Sequence, residues 1–205
     1  MARKNTAVPE IDPNGNGESA AMKTFHCVIR GTKPILLNNP AGRLGKSGAK
    51  KQGESSFPTA EEAAKASCYW MPDRSSLMFP ADNIHAALIA GAGTYKIGRK
   101  SIVPFVAGSV EIAPEHIPFN TKQYKIDTRR AVVQRQGILR SRAKLLTWEL
   151  GFDLLVDEDW LSRNPGEDLK QMLQEAGRRV GIGDFRPQKR GKFGKFIVIT
   201  FEERK

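Results

Sequence analysis

Residues 177–195 have the composition of a loop that binds phosphates. Seven Lys and Arg residues stand in 178–195 against one acid, Asp184, and five glycines lie within 177–194. Glycine lets a backbone approach a bound chain closely and expose its N–H groups, while Arg and Lys bind phosphate oxygens. Ordinary helix–strand connections have about 2–6 residues. A connection of this length and charge favours a nucleic-acid contact over the alternative, a flexible loop that follows a helix end.

A second basic segment lies earlier in the chain. Residues 121–150 contain eight Lys and Arg residues against two acids, so each basic segment carries a net charge of +6. The whole chain has 205 residues and a formal charge of +11, which leaves the remainder near neutrality. Positive charge concentrated in two segments indicates a polyanionic partner, since charge that only aided solubility would be scattered.

The residues that could support cleavage or metal binding are few and dispersed. His26 and Cys27 are neighbours on a predicted strand, where their side chains point to opposite faces and cannot form a dyad. The two cysteines have no metal-binding or disulfide spacing. A ribonuclease would have to use Asp73, His26 or His85. We therefore predict no catalytic residue, no metal and no cofactor.

Neither a membrane segment nor an export signal is predicted. The sequence has no apolar run of about 18 residues, and its polar beginning is not followed by an apolar stretch. We expect a cytoplasmic protein. Residues 1–21 are rich in Asn, Gly, Pro and Ser and are predicted to form a disordered tail.

The remaining residues, 22–205, are predicted to form a single domain. Phe25, Cys27 and Ile29 alternate with polar residues and predict a half-buried first strand. Thr59 and Glu62 predict a capping box that opens a helix to about Tyr69. The regular elements are predicted in the order βαββαβ. Their ranges are 23–31 (β), 80–91 (α), 101–112 (β), 145–156 (β), 165–177 (α) and 194–203 (β).

This order predicts an α+β fold with a ferredoxin-like or RRM-like antiparallel sheet and both helices on one face. Two insertions interrupt it, a loop at 38–75 and a basic segment at 121–143 that we interpret as a projecting hairpin or arm. Asn164 is expected to be the N-cap of the second helix, with Pro165 at its first helical position. The acidic residues at 153 and 157–159 are interpreted as a solvated turn.

Three segments resemble the RAMP superfamily, the repeat-associated proteins of CRISPR effector complexes, and in particular the backbone subunit that polymerises along a guide RNA. Residues 78–88 (MFPADNIHAAL) resemble the family's helix start. Residues 181–183 and 191–196 resemble its C-terminal glycine-rich loop, and residues 30–39 lie where its first strand ends. The resemblance implies a ferredoxin-like palm with an inserted thumb.

The sequence departs from that family at two points. Backbone subunits that cut target RNA have an Asp in the loop after the first strand, where this chain has Asn38 and Asn39. At the helix start the family's Lys-Gly is replaced by His85 and Ala86. The resemblance therefore implies RNA binding without cleavage.

We expect a non-catalytic protein that binds single-stranded nucleic acid, with guide RNA as the expected ligand, and that assembles side by side with copies of itself and other effector-complex subunits. The alternatives are a phage-type single-stranded DNA-binding protein, a RAMP-type ribonuclease, and a protein that mimics such a subunit and binds an acidic protein through its basic segments. RNA and DNA cannot be distinguished from the sequence, because discrimination depends on 2′-hydroxyl contacts. The predicted nucleic-acid-binding residues are Asn38, Asn39, His85, Arg129, Arg130, Arg135, Arg140, Arg142, Arg178, Arg179, Gly181, Gly183, Arg186, Lys189, Arg190 and Lys192.

Overall fold

A computed structural model describes residues 21–41, 58–133, 136–163 and 166–204. The predicted tail, apart from Ala21, lies outside the described residues. So do Arg135, the predicted N-cap Asn164 and the predicted first helical residue Pro165.

The strands, numbered along the chain, are β1 (Met22–Gly31), β2 (Ile35–Leu36), β3 (Met78–Pro80), β4 (Lys96–Ile97), β5 (Lys100–Ser101), β6 (Val110–Ala113), β7 (His116–Pro118), β8 (Lys125–Val133), β9 (Gln136–Leu145), β10 (Glu149–Asp157) and β11 (Phe196–Arg204). The helices are α1 (Ala60–Ala66), α2 (Ala81–Gly91), α3 (Val103–Ser109), α4 (Glu158–Arg163) and α5 (Gly166–Glu175). A π-helical turn, Ala176–Val180, continues α5.

The main sheet has the strand order β11-β1-β10-β6, and all of its pairs are antiparallel. Counting only these strands along the chain gives the order 4-1-3-2, with α2 between the first two and α5 before the last. Helices α2 and α5 pack against each other, and they contact β6 and β11 respectively. This arrangement confirms the predicted ferredoxin-like α+β fold.

The alternation in β1 positions the sheet against its helices. Phe25, Cys27 and Ile29 are buried, while His26 and Arg30 lie on the opposite face of the strand. Strand β10 repeats the pattern, since Leu150, Phe152, Leu154 and Val156 are buried. One face of the sheet therefore forms the core with α2 and α5, as the period of two predicts.

The predicted strand at 101–112 is wrong over most of its length. Residues Val103–Ser109 form α3, and only Val110–Ala113 form the second strand of the main sheet. Pro104 is in the first turn of the helix, a position that tolerates its missing N–H. Ile102 and Val106 are buried one helical turn apart, whereas Phe105 is 48% exposed. The apolar residues of this segment have helical spacing, which explains why it does not form the predicted bent strand.

Three further boundaries differ from the prediction. Leu145 belongs to β9, and the third sheet strand starts only at Glu149. The acidic residues after β10 do not form a turn, because Glu158 and Asp159 open α4 and the Asp157 carboxylate accepts a hydrogen bond from the Asp159 N–H at 2.8 Å. Helix α5 continues past the predicted end at 177 as the π-helical turn.

The predicted arm is a hairpin of β8 and β9. Its register pairs Asp127 with Arg142 and Arg129 with Arg140, so those side chains share one face. Helix α1 packs against β9 and β8. The Ala143 N–H donates to the Ser67 hydroxyl at 2.8 Å just beyond that helix, and the predicted capping box of Thr59 and Glu62 is confirmed.

In the described part of the chain, none of the helices combines the length and apolar character that a bilayer-spanning segment requires.

Candidate nucleic-acid interface

The glycine-rich loop, defined here as residues 181–194, is closely folded. Gly181, Gly183 and Gly194 have φ of +71°, +76° and +66°, which a residue with a side chain adopts only at a cost. A Cβ atom at Gly194 would lie 1.7 Å from the Ile182 carbonyl oxygen, and one at Gly191 would lie 1.6 Å from that of Phe185. The glycines therefore bring the two ends of the loop into contact.

The folded loop is docked on the segment around β2. The Asp184 N–H donates to the Leu36 carbonyl and the Gly194 N–H donates to the Pro34 carbonyl, both at 2.8 Å. A Cβ at Gly183 would lie 2.7 Å from the Leu36 carbonyl oxygen. Because β2 also pairs with β9, the loop is held next to the hairpin.

Among the described residues, an ion pair and a cation–π contact join side chains of the hairpin to the glycine-rich loop. The Arg142 Nε lies 2.6 Å from an Asp184 carboxylate oxygen, and the Arg142 side chain is only 12% exposed. The Arg129 guanidinium lies over the Phe193 ring, 4.7 Å from its centroid. The two basic segments of the sequence therefore form one surface in the fold.

A buried carboxylate anchors the base of the hairpin. Asp127 accepts hydrogen bonds from Arg129 and from the Lys144 ammonium, the latter at 2.7 Å. The hydrogen bond from Arg129, followed by that from Lys144, lowers the pKa of Asp127 to about 2 against the opposing effect of burial. The carboxylate stays ionised and fixes Arg129 in position to stack on Phe193.

The Lys and Arg side chains of the loop and of the turn before it differ in exposure and in their hydrogen-bond or ion-pair partners. Lys189, Arg190 and Lys192 are exposed. Arg186 donates to the Gly183 carbonyl at 3.0 Å and to the Gln188 side chain, so its guanidinium is held in place. On the preceding π-helical turn, Arg178 and Arg179 both pair with Glu175, at 2.6 and 2.7 Å.

The two faces of the hairpin present different arginines. Arg140 lies opposite Arg129, on the face that Arg142 and Asp127 share, and this face contacts the loop. Arg130 lies opposite Leu139 on the other face and is exposed. Side chains alternate along β8, so Arg129 and Arg130, which are neighbours in the sequence and were both predicted to bind nucleic acid, lie on opposite faces of the hairpin.

A cleft of about 140 Å³ opens between the loop, the end of β2 and the first turns of α2. Gly183, Asp184 and Arg186 line it from the loop. Asn38 lines it from the segment after β2, and Asn83 lines it from α2. These are the three segments on which the family resemblance depends, and the fold brings them together.

Three further residues that were predicted to bind nucleic acid do not line the cleft. Asn39 stabilises the local fold, because its amide donates to the Cys68 carbonyl at 3.0 Å and accepts from the Ala41 N–H at 2.9 Å. Gly181 is buried within the loop. His85 is on α2 but does not line the cleft, and its buried Nε2 has no hydrogen-bond partner among the described residues.

The candidates for cleavage chemistry lie on separate elements. Asp73 is in the turn before β3, where a hydrogen bond with Ser75 lowers its pKa. His26 is on the open face of the sheet, 2.8 Å from Asp153. Burial raises the pKa of Cys27 to about 12, so this thiol stays protonated. The described ranges contain no group of three or more His, Cys, Asp or Glu side chains arranged to hold a metal ion.

The open face of the main sheet differs from an aromatic nucleic-acid platform. Two of its arginines are paired with carboxylates, with Arg30 2.7 Å from Glu149 and Arg204 2.7 Å from Asp153. Phe25 and Phe201 stack on each other at 5.1 Å, and Phe25 is buried. The strongly basic surface is at the hairpin and loop instead.

Sequence reasoning missed Tyr69, Phe79 and Asn83, which also line the cleft. Tyr69 follows α1, and its hydroxyl donates to the Asn38 carbonyl at 3.0 Å. No local pattern marks it, since its place depends on packing between distant segments. Asp184 did carry a signal, because a lone acid among seven cations indicates an internal ion pair.

The fold and this basic surface define a ferredoxin-like α+β protein with an inserted basic hairpin. The sequence matches no family model and no curated protein. Among solved structures 45 chains match. One is a chain in the cryo-EM structure of the Type III-B Cmr-beta complex bound to cognate target RNA, with a TM-score of 0.57 and 10% identity. The match covers 92% of this chain and 62% of that one, so this chain spans less than two thirds of its neighbour.

Proposed function

We propose that this protein is a non-catalytic backbone subunit of a CRISPR-type effector complex that binds single-stranded RNA, the guide, and assembles side by side with its own copies. The observation that carries the proposal is the junction of the two basic segments through Arg142 and Asp184. It makes one continuous cationic surface from residues far apart in sequence. The similarity of fold to a chain of an RNA-bound effector complex, and the resemblance to the RAMP superfamily, support it.

The surface suits the phosphate backbone of a single strand. Exposed Lys189, Arg190 and Lys192 can move to meet phosphates, while Arg186 is already oriented by its hydrogen bonds. Contacts of this kind release counterions, so affinity should fall steeply with salt, by about 0.7 in log–log slope for each phosphate neutralised on a single strand. Binding should depend little on sequence, because phosphates carry no base identity.

The first experiment is purification without nuclease, followed by measurement of the absorbance ratio and particle size before and after RNase or DNase. A large particle that RNase alone dissolves supports the proposal. A particle that only DNase dissolves favours a single-stranded DNA-binding protein. A clean monomer that binds no single strand at low salt overturns both and directs the search to a protein partner.

A second experiment assigns the surface. The triple variant Lys189→Ala, Arg190→Ala, Lys192→Ala should bind RNA at least tenfold more weakly and show a shallower salt slope. The matched control is Lys96→Ala, Arg99→Ala, Lys100→Ala, which removes the same charge from exposed residues beyond the far end of α2. Equal losses in both variants would mean that net charge, and not this surface, drives binding.

A further inference from the structure

Two surfaces on opposite sides of the molecule carry opposite charge, and we propose that copies of this chain associate without RNA by docking one surface on the other. The first lies outside the helix layer and is basic. The second is the open face of the main sheet, where acidic side chains are in excess. This inference rests on the proposed function, because it assigns an interface to the side-by-side assembly, and it adds that the contact between copies is made by protein alone.

The basic surface, called here the helix-side surface, combines the tight β4–β5 hairpin with the π-helical turn. Tyr95, directly before β4, lies next to α5: burial is the largest cause that raises the pKa of Tyr95, followed by Glu175 and Asp168, while Arg179 and Arg178 act in the opposite direction. Arg178 and Arg179 already pair with the Glu175 carboxylate, yet they are 64% and 62% exposed and can also meet carboxylates of a partner. The exposed cations of this surface are Lys96, Arg99, Lys100, Arg178 and Arg179.

Acidic side chains outnumber basic ones on the open face of the main sheet. The strand register places Glu202 opposite His26 and Glu111 opposite Leu155, so both carboxylates lie on this face, and both are exposed. The two arginines of the face are already paired with Glu149 and Asp153. Glu111 and Glu202 therefore give the face a net negative charge. In a chain with a formal charge of +11, such a face attracts the basic surface of another copy.

Both surfaces also have exposed apolar groups. On β11, Ile197 and Ile199 are 49% and 43% exposed. Gly151 leaves the middle of the open face bare, because a Cβ atom there would approach only the His26 ring, at 4.0 Å, among the described residues beyond its chain neighbours. On the helix side, Phe105 of α3 follows the β4–β5 hairpin and is 48% exposed. Apolar groups surrounded by polar and charged ones are the usual composition of a protein–protein interface.

The placement of the two surfaces makes the contact heterologous. Helices α2 and α5 pack together on one face of the sheet, between the open face and the helix-side surface. Each copy can therefore offer its open face to one neighbour and its helix-side surface to the next, which produces an open row. Lys189, Arg190 and Lys192 of the glycine-rich loop belong to neither surface, so every copy in the row can still bind RNA.

The test reverses the charge of each surface in turn. The variant Lys96→Glu, Arg99→Glu, Lys100→Glu makes the helix-side surface acidic, and Glu111→Lys, Glu202→Lys makes the open face basic. Sedimentation velocity measures association of nuclease-treated protein, freed of nucleic acid, at low salt and rising protein concentration. We expect wild-type oligomers that grow with concentration and dissociate in salt. Each variant alone should associate at least tenfold more weakly, because its two surfaces then have like charge, and a mixture of the two variants should associate again.

Matched controls make the same changes of charge outside both surfaces. Lys189→Glu, Arg190→Glu, Lys192→Glu on the glycine-rich loop should assemble as the wild type does without RNA, although it loses RNA binding. Glu61→Lys, Glu115→Lys changes exposed residues of α1 and of the segment between β6 and β7, and it should also assemble normally. Circular dichroism and urea denaturation establish that every variant folds.

RNA binding is measured separately, with an RNA long enough for one copy only, so that the two proposals can fail independently. The interface is overturned if the wild type stays monomeric without RNA, if a reversed variant assembles as the wild type does, or if the mixture of variants does not associate. In each of these cases, RNA binding by the wild type leaves the proposed function standing. Association of a wild type that binds no RNA supports the interface and overturns the proposed function.

Discussion

The Arg142 Nε lies 2.6 Å from a carboxylate oxygen of Asp184, and this ion pair joins the β8–β9 hairpin to the glycine-rich loop. The two side chains are 12% and 25% exposed, so the pair is well shielded from water. Arg142 belongs to one basic segment and Asp184 is the only acid in 178–195. The ion pair is therefore one of the contacts that hold two positively charged elements together despite their mutual repulsion.

Breaking this pair should weaken RNA binding without removing a phosphate contact. We expect Arg142→Ala to destabilise the fold by about 1–3 kcal/mol, because it leaves the Asp184 carboxylate partly buried and unpaired. RNA affinity should fall, but the salt slope should match that of the wild type. Titrations at several salt concentrations measure both quantities.

The control for that experiment is Arg190→Ala, an exposed cation of the same loop, which should make the salt slope shallower by about 0.7. A double-mutant cycle with Asp184→Asn isolates the coupling energy of the pair. A coupling energy near zero, or a shallower slope for Arg142→Ala, would show that Arg142 contacts phosphate instead of orienting the loop.

The glycine-rich loop should be intolerant of a side chain at Gly194. Gly194→Ala combines an unfavourable φ with a clash against the Ile182 carbonyl, so we expect a loss of several kcal/mol in the free energy of unfolding. Gly98 is a matched control, because its φ of +61° is similar but, among the described residues, no atom beyond its chain neighbours lies within 4 Å of its Cβ position. Gly98→Ala should cost only about 1–2 kcal/mol. Similar losses in urea denaturation would mean that the loop can open without penalty.

The Asp127 carboxylate should make the free energy of unfolding depend on pH in the acidic range. Its pKa falls from 3.8 to about 2 on folding, so its contribution is complete above about pH 4 and is lost as the pH falls towards 2. Near neutral pH, Asp127→Asn should therefore lower the free energy of unfolding by roughly 2 kcal/mol. The difference between wild type and variant should shrink below pH 4 in a urea-denaturation series. A difference that is constant with pH would assign the loss to packing.

The architecture could be predicted from the sequence because the alternation of apolar and polar residues in strands, and the residues that cap helices, are local signals. Phe25, Cys27 and Ile29 mark the first strand, and the Thr59–Glu62 capping box marks a helix start. It failed at 103–109, where a short helix has the β-branched and aromatic residues that usually indicate a strand. There the burial of Ile102 and Val106 on one helical face decided the structure, and burial is a property of the whole fold.

The charge distribution of the sequence predicts where the site is, but not the geometry of the site. The sequence contains the two basic segments, but it does not indicate that Arg142 is nearly buried or that Arg130 and Arg140 lie on opposite faces of the hairpin. Both properties depend on the strand register, because a shift of one residue would move every side chain to the opposite face. Tyr69 and Phe79 enter the cleft through contacts between segments far apart in the chain.

The hairpin register gives the last prediction. Arg140 shares a face with Arg129, which stacks on Phe193 of the loop, whereas Arg130 lies on the other face. A strand that follows the loop should therefore contact Arg140 and not Arg130. Arg140→Ala should reduce RNA affinity several-fold and the salt slope by about 0.7, and Arg130→Ala should leave both nearly unchanged.

Both variants remove one positive charge from the same hairpin, so each is the control for the other in titrations at matched ionic strength. Circular dichroism and urea denaturation establish that each still folds. A larger effect of Arg130→Ala would place the strand on the face of Leu139, which is 77% exposed. Equal effects would mean that RNA wraps the hairpin, and the loop-side face would then have no special role in binding.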